Sequence, residues 1–217
     1  MRKIIVFDFD HTLFSTTQFK SETANNLLGI GIPLKIIQET EQGAKINGCY
    51  LGFKKQVGLI KKALPNNHIL LSELLNAFEL VMENSNRFIY PDVRSTLRIL
   101  LRRNYHLILL SSGERHSQRR KINNSGIAKY FQRIIVSSQL EKTKSFARIF
   151  RKRSQMFYVE DSLIAIKEIK KKFPSVITIR VCRQDGAYSQ QKESFLADFS
   201  VNDFSSNFFK LLAIPRG

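Results

Sequence analysis

Cysteine is scarce: the 217 residues hold two, Cys49 and Cys182, far apart and without a CxxC pair or adjoining histidine pairs. Nothing in that spacing suggests a disulfide framework or a cysteine zinc site, and free, partly buried thiols are the expectation. Long apolar runs are missing too. None approaches the ~20 residues that a spanning helix needs, so no membrane-spanning segment is expected. The stretch Ile4 to Phe7 after Arg2 and Lys3 is too short for a signal peptide, which makes the cytoplasm the expected location. Acid is in short supply, with 18 Asp+Glu against 35 Lys+Arg and a formal charge of +17. The deficit is uneven: residues 1–90 carry 10 basic and 8 acidic side chains, residues 91–217 carry 25 and 10. Such a field would speed encounters with anionic substrates and leaves nucleic acid or an anionic membrane surface open as partners. A merely solvated basic surface fits equally well.

What is present is a globular composition, 43% hydrophobic, long enough for one substantial core or a core plus a small appended domain. The organising stretch is Ile4-Ile5-Val6-Phe7-Asp8-Phe9-Asp10-His11-Thr12-Leu13-Phe14. Its apolar start reads as a buried parallel strand, and in open α/β sheets ligands bind beyond the carboxyl ends of the strands. Asp8 and Asp10 would point to one side of an extended segment, where their charges repel unless a proton or metal ion intervenes. Two carboxylates with a divalent cation suit phosphoryl transfer. Asp8 can attack phosphorus, while Asp10 protonates the leaving oxygen and then deprotonates water. Mg²⁺ fits, since it binds a few carboxylates together with waters and phosphate oxygens.

The run Phe7-Asp8-Phe9-Asp10-His11-Thr12-Leu13 resembles the first motif of the haloacid dehalogenase (HAD) superfamily of phosphohydrolases. That resemblance implies Asp8 as nucleophile and Asp10 as acid/base. The residue before the threonine is most often glycine in that family and here is His11, to which no role is given.

After Phe14 and the polar Ser15 to Gln18, the periodicity to about Arg87 is helical. The clearest case is the apolar stripe Leu71, Leu74, Leu75, Phe78, Val81 and Met82; weaker signals cover 20–28, 34–42 and 53–64. The resemblance makes this all-helical insert a cap of the C1 type, closing over the site to exclude water. Lys20, Tyr50, Lys54 and Lys55 are possible contacts within it, though helix-surface lysines are usually only solvated.

The chain re-enters the core at Phe88-Ile89-Tyr90-Pro91-Asp92, with Asp92 able to cap a helix striped by Val93, Leu97 and Leu100. The strand Tyr105 to Leu110 ends at Ser111-Ser112-Gly113-Glu114, where hydroxyls could hold a phosphate or simply cap the next helix. By resemblance to the second motif, Ser111 is the preferred phosphate ligand and Ser112 the alternative register. A cation is needed near the nucleophile. Lys144 resembles the third-motif lysine, with Lys142 as its alternative. Met156 to Val159 form a further strand ending in Glu160-Asp161-Ser162, a second acid pair that either ligates metal or caps a helix. By resemblance to the fourth motif, Glu160 and Asp161 bind Mg²⁺ with Asp8 and the backbone carbonyl of Asp10.

The expected architecture is α/β, a doubly wound, mostly parallel sheet formed by residues 1–14 and 88–217, with a helical cap at 15–87. The implied activity is Mg²⁺-dependent hydrolysis of a small phosphate monoester through an aspartyl-phosphate on Asp8. By that resemblance Asp10 disfavours dehalogenase chemistry, which releases halide and needs no proton donor. A phosphomutase, a phosphatase of nucleotides or nucleic-acid ends, and a non-catalytic nucleic-acid-binding protein using the basic second part remain as alternatives.

Overall fold

The computed structural model describes residues 3–46, 49–65, 68–138, 141–186 and 196–213. The opening apolar run forms strand β1 (Lys3–Phe7). The segment that follows holds helices α1 (Thr16–Gly29), α2 (Leu34–Gly43), α3 (Phe53–Ala63) and α4 (Leu71–Glu83). A short antiparallel ribbon, β2 (Lys45–Ile46) with β3 (Cys49–Tyr50), interrupts them, so this insert is not purely helical as the periodicity suggests. Two-residue strands carry no period for a sequence pattern to reveal. Helix α1 also starts at Thr16 rather than near 20, because the Ser15 hydroxyl accepts from the Gln18 N–H and caps the helix inside the polar stretch.

The remaining strands are β4 (His106–Ser112), β5 (Arg133–Ser137), β6 (Gln155–Glu160), β7 (Ile177–Val181) and β8 (Phe199–Val201). They join β1 in one sheet of order β5-β4-β1-β6-β7-β8, every neighbouring pair parallel. From β1 the chain winds outward through β4 and β5, then returns to the other side of β1 for β6. The reversal therefore lies between β1 and β6, the position at which such sheets open a ligand crevice.

Strand alternation sorts the core. Ile5, Phe7, Leu107, Leu109, Phe157 and Val159 face helices α5 (Val93–Arg102), α6 (Arg115–Asn124) and the C-terminal Phe204 and Phe208. Ile4, Val6, Ile108, Leu110, Met156 and Tyr158 face α7 (Lys142–Ile149) and α8 (Leu163–Lys172). Each such side chain taken fully from water contributes about 1.5–3 kcal/mol, which makes the register of β1 hard to slip. Helices α1 to α4 bury a third cluster of their own, including Leu27, Ile37, Val57, Ile60, Leu74 and Phe78.

The two crossings between sheet and insert lie side by side. The Ser15 N–H donates to Phe88 O at 2.7 Å and the Tyr90 N–H to Leu13 O at 3.2 Å. Asp185, in the turn after β7, accepts from the Ser15 hydroxyl and, at 2.6 Å, from the Tyr90 hydroxyl. Arg183 donates to Thr12 O and lies over the rings of Tyr90 and Phe204. Asp92 makes no side-chain cap bond. Its Oδ2 instead accepts from Arg183 Nη1 at 2.8 Å and from the Phe204 N–H at 2.7 Å. Among the described residues no helix is long and apolar enough to cross a membrane.

Candidate active site

Both acid pairs sit where β1 and β6 end, so strand pairing alone brings them together: Phe7 is opposite Val159, and the Asp8 N–H donates to Val159 O at 2.9 Å. Carboxylate oxygens of Asp8, Glu160 and Asp161 lie within 4.8 Å of one another, all three residues buried. Asp8 and Glu160 share the parity of Val6 and Tyr158, which aims them at the α7 side of the sheet.

Lys142, the first residue of α7, meets them there. Its Nζ lies 2.6 Å from both Asp8 Oδ1 and Glu160 Oε2, and the Tyr158 hydroxyl donates to the same Glu160 oxygen. The Asp161 and Ser162 N–H groups donate to Glu160 Oε1 at 3.2 Å. The lysine preferred from the sequence, Lys144, is exposed and outside this cluster. Two residues turn a helix by about 200°, so only one of the two lysines can face the strand ends. The sequence places α7 but not its rotational phase.

Asp10 does not share these partners. The chain leaves β1 after Phe7 and turns at His11, whose φ of +58° is left-handed. That conformation explains the preference for glycine in the resembling motif, and histidine is among the few other residues that adopt it with any frequency. The turn carries Asp10 toward α6, where Lys121 Nζ and the Thr16 hydroxyl lie 2.5 Å from Oδ1 and Gln118 Nε2 lies 2.6 Å from Oδ2. Repulsion between Asp8 and Asp10 is thus offset by separate lysines.

The serines divide as β4 alternates, because the strand continues to Ser112. Ser111 keeps the parity of Leu109; it is fully buried and accepts from Gln118 Nε2 at 2.7 Å. Ser112, on the Lys142 side, lines the cavity, and its buried Oγ has no hydrogen-bond partner. The serine that lines the cavity is therefore in the second register rather than at Ser111. Neither caps α6: Glu114 does, accepting from the His116 and Ser117 N–H groups. Likewise Ser162 rather than Asp161 caps α8, which leaves Asp161 facing the acid cluster.

Electrostatics follow from this geometry. Burial, with the Glu160 charge next, pushes Asp8 up to about 7, although Lys142 pulls it down. Burial, then the charges of Glu160 and Asp8, push Asp161 well above the ordinary carboxylate range. Burial would raise Asp10 and Glu160 as well. The ammonium groups of Lys121 and Lys142, with the hydrogen bonds around them, outweigh it and hold both below their usual values. Three buried acids share one lysine, so their full ionisation calls for a further cation, and Asp161 Oδ2 is buried without a hydrogen-bond partner. That donor set, all oxygen, fits a hard divalent cation such as Mg²⁺.

The cavity above the acids is about 770 Å³ and runs from Asp8, Asp10, Ser112 and Lys142 to Phe19, Phe53, Phe78 and Met82 of the helical insert. Lys20 and Tyr50 line it; Lys54 and Lys55 are exposed and do not. Lys121, Gln118 and Thr16 escape sequence reading. They belong to polar stretches of helix, and only the tertiary turn at His11 gives them a target.

Comparison with known proteins agrees with the fold. No curated protein sequence matches the chain. Among solved structures, a protein named as a haloacid dehalogenase-like hydrolase from Burkholderia xenovorans superposes with a TM-score of 0.76 at 16% identity, over 100% of both chains. A protein named as a HAD-hydrolase from Bacillus subtilis, bound to magnesium, gives 0.66 at 16% identity over 98% of this chain and 99% of that one. L-2-haloacid dehalogenase from Xanthobacter autotrophicus gives 0.63 at 17% identity over 99% and 100%. At these identities the likeness shows the fold. The family described as haloacid dehalogenase-like hydrolase matches residues 2–166, three-quarters of the sequence, and the chain belongs to it.

Proposed function

We propose that this hydrolase cleaves phosphate monoesters through an aspartyl-phosphate, with Mg²⁺ as cofactor and helices α1 to α4 as the cap over the site. The observation that carries the reading is the division of labour among four acids. Asp8, Glu160 and Asp161 converge with Lys142, while Asp10 stands apart with its own donors. Residues 1–14 and 88–217 would form the catalytic core around them. By family resemblance a dehalogenase has no use for Asp10, since halide leaves unprotonated.

In the proposed reaction an Asp8 carboxylate oxygen forms a bond to phosphorus as the bond to the leaving oxygen breaks. Asp10, once it has taken up a proton against the hold of Lys121, passes that proton to the leaving oxygen and makes it an alcohol. Water then attacks the aspartyl-phosphate, giving its proton to Asp10 and releasing inorganic phosphate and free Asp8. Lys142 offsets charge on the transferred group, and the Ser112 hydroxyl is available to a phosphate oxygen. Asp8, Glu160, Asp161 and the Asp10 carbonyl would hold Mg²⁺. Bound there, the ion neutralises charge between the acids and an anionic substrate. The wall of Phe19, Phe53, Phe78 and Met82 leaves the leaving group a partly apolar surface to lie on.

The test is a screen of the purified protein with Mg²⁺ across phosphorylated metabolites, nucleotides, phosphorylated oligonucleotides and 2-haloacids, with Asp8→Asn as blank. Phosphate release that Asp8→Asn abolishes is the expected result. Halide release in place of phosphate, or full activity in Asp8→Asn, would overturn the proposal.

A further inference from the structure

We infer that Lys121 is a positioning residue that holds the Asp10 carboxyl group in line for proton transfer to the leaving oxygen. The inference rests on the reading of Asp10 as acid/base given above. Lys121 arrives from α6, not from any of the segments that resemble family motifs. Its Nζ lies 2.5 Å from Asp10 Oδ1, and its side chain is 10% exposed against 26% for that of Asp10, so the lysine end of the ion pair is largely shielded from water. The ammonium is also enclosed by rings, at 5.5 Å from the centroid of Phe9, 5.1 Å from Phe14 and 5.7 Å from Phe19. All three distances fall within cation–π range. A cation held by three aromatic faces and one carboxylate has little freedom to leave.

Gln118, three residues earlier on the same helix, binds the other Asp10 oxygen and ties it to Ser111. Helix α6 therefore grips both oxygens, and Thr16 of α1 adds a third contact from the insert. A carboxylate attached to a turn rather than to a strand has only these side chains to fix its direction. Reactions that depend on a general acid lose rate steeply when that acid is displaced by even about 1 Å. Lys121 and Asp10 both line the cavity, so the pair faces the region a leaving group would occupy.

The distinguishing readout is the dependence on leaving group. An aryl phosphate such as p-nitrophenyl phosphate departs as a stable phenolate without a proton; an alkyl phosphate such as glycerol 3-phosphate must be protonated. The ratio of kcat/KM for the alkyl ester to that for the aryl ester is measured in the wild type, Lys121→Met and Lys121→Gln. Because kcat/KM reports only steps through the first irreversible transfer, the later base role of Asp10 does not enter. The expected result is a fall in that ratio of roughly tenfold or more in both variants, as suits partial loss of a general acid. Equal losses on both esters, or no loss, would overturn the inference, because a merely structural lysine moves both rates together. Asp10→Asn is the separate arm. If it leaves the ratio unchanged, the acid/base reading itself fails; if it lowers the ratio while the Lys121 variants do not, only the positioning role fails. Should Lys121→Met not fold, the ratio in Lys121→Gln decides.

Discussion

Replacing Lys142 by methionine keeps most of the length of the side chain and removes its charge. In the native site that charge lies 2.6 Å from Asp8 and from Glu160, with both acids buried. Without it, two carboxylates and Asp161 share one desolvated corner with no protein cation. Breaking a buried pair in this way costs about 3–5 kcal/mol, because the stranded charge keeps its desolvation penalty. For a chain of this size each kcal/mol moves Tm by about 2–4 °C, which gives a fall of roughly 6–20 °C in metal-free protein near pH 8. The effect is pH-dependent, with a sign that can be worked out. Asp8 sits at about 7 in the folded protein against 3.8 as its ordinary value. A carboxyl raised on folding supports the folded state below its unfolded pKa, and that support is lost as pH rises through the folded one. Lys142 is the group that pulls Asp8 down, so the deficit of the variant should widen from about pH 5 to about pH 8. Saturating Mg²⁺ should return more stability to the variant than to the wild type. Thermal melts with EDTA and with Mg²⁺ across that range provide the assay. A variant within about 2 °C of wild type in EDTA near pH 8, or one whose deficit does not change with pH, would refute the reasoning.

Lys144→Ala provides the contrast: exposed and outside the acid cluster, it should change stability by less than about 0.5 kcal/mol and leave phosphate release intact. Isothermal titration should show Mg²⁺ binding that strengthens as pH rises from about 5 to about 8 and releases protons at the lower end of that range, because burial pushes Asp8 up to about 7 and raises Asp161 as well. Asp161→Asn should weaken that binding, and an unchanged affinity would remove this side chain from the ligand set. Gly52 has a φ of +93°, and a Cβ there would stand 3.0 Å from Ser117 Oγ of α6. Gly52→Ala should therefore cost about 1–3 kcal/mol in urea denaturation, from the backbone conformation and the contact together.

The parts legible in the sequence are those fixed by short-range pattern. Runs such as Ile4 to Phe7 and Met156 to Val159 are apolar on both parities, so they announce central parallel strands, and the acids that end them are placed by the same stroke. Helix α2 is observed at Leu34–Gly43 where the periodicity expects 34–42, and it buries Ile37 and Thr40. Where rotational phase or tertiary turns decide, pattern fails. Lys142 and Lys144 differ only in which way α7 is turned. Ser111 and Ser112 differ only in where β4 stops. Lys121 lies in Arg115–Asn124, a helix with hardly any apolar residue to orient it. Asp185 reads as an ordinary turn residue because its partners, Ser15 and Tyr90, lie 170 and 95 positions away.

The paired crossings have a consequence for engineering. Since Ser15 and Phe88 are hydrogen-bonded neighbours, the seventy-odd residues between them begin and end at nearly one point in space. Excising them and joining the stumps with a short Gly-Ser turn would span almost no distance, so the closure term is small and the sheet need not rearrange. The same geometry makes this position a natural socket, into which an insert of different shape could be grafted without disturbing the strand ends beneath it.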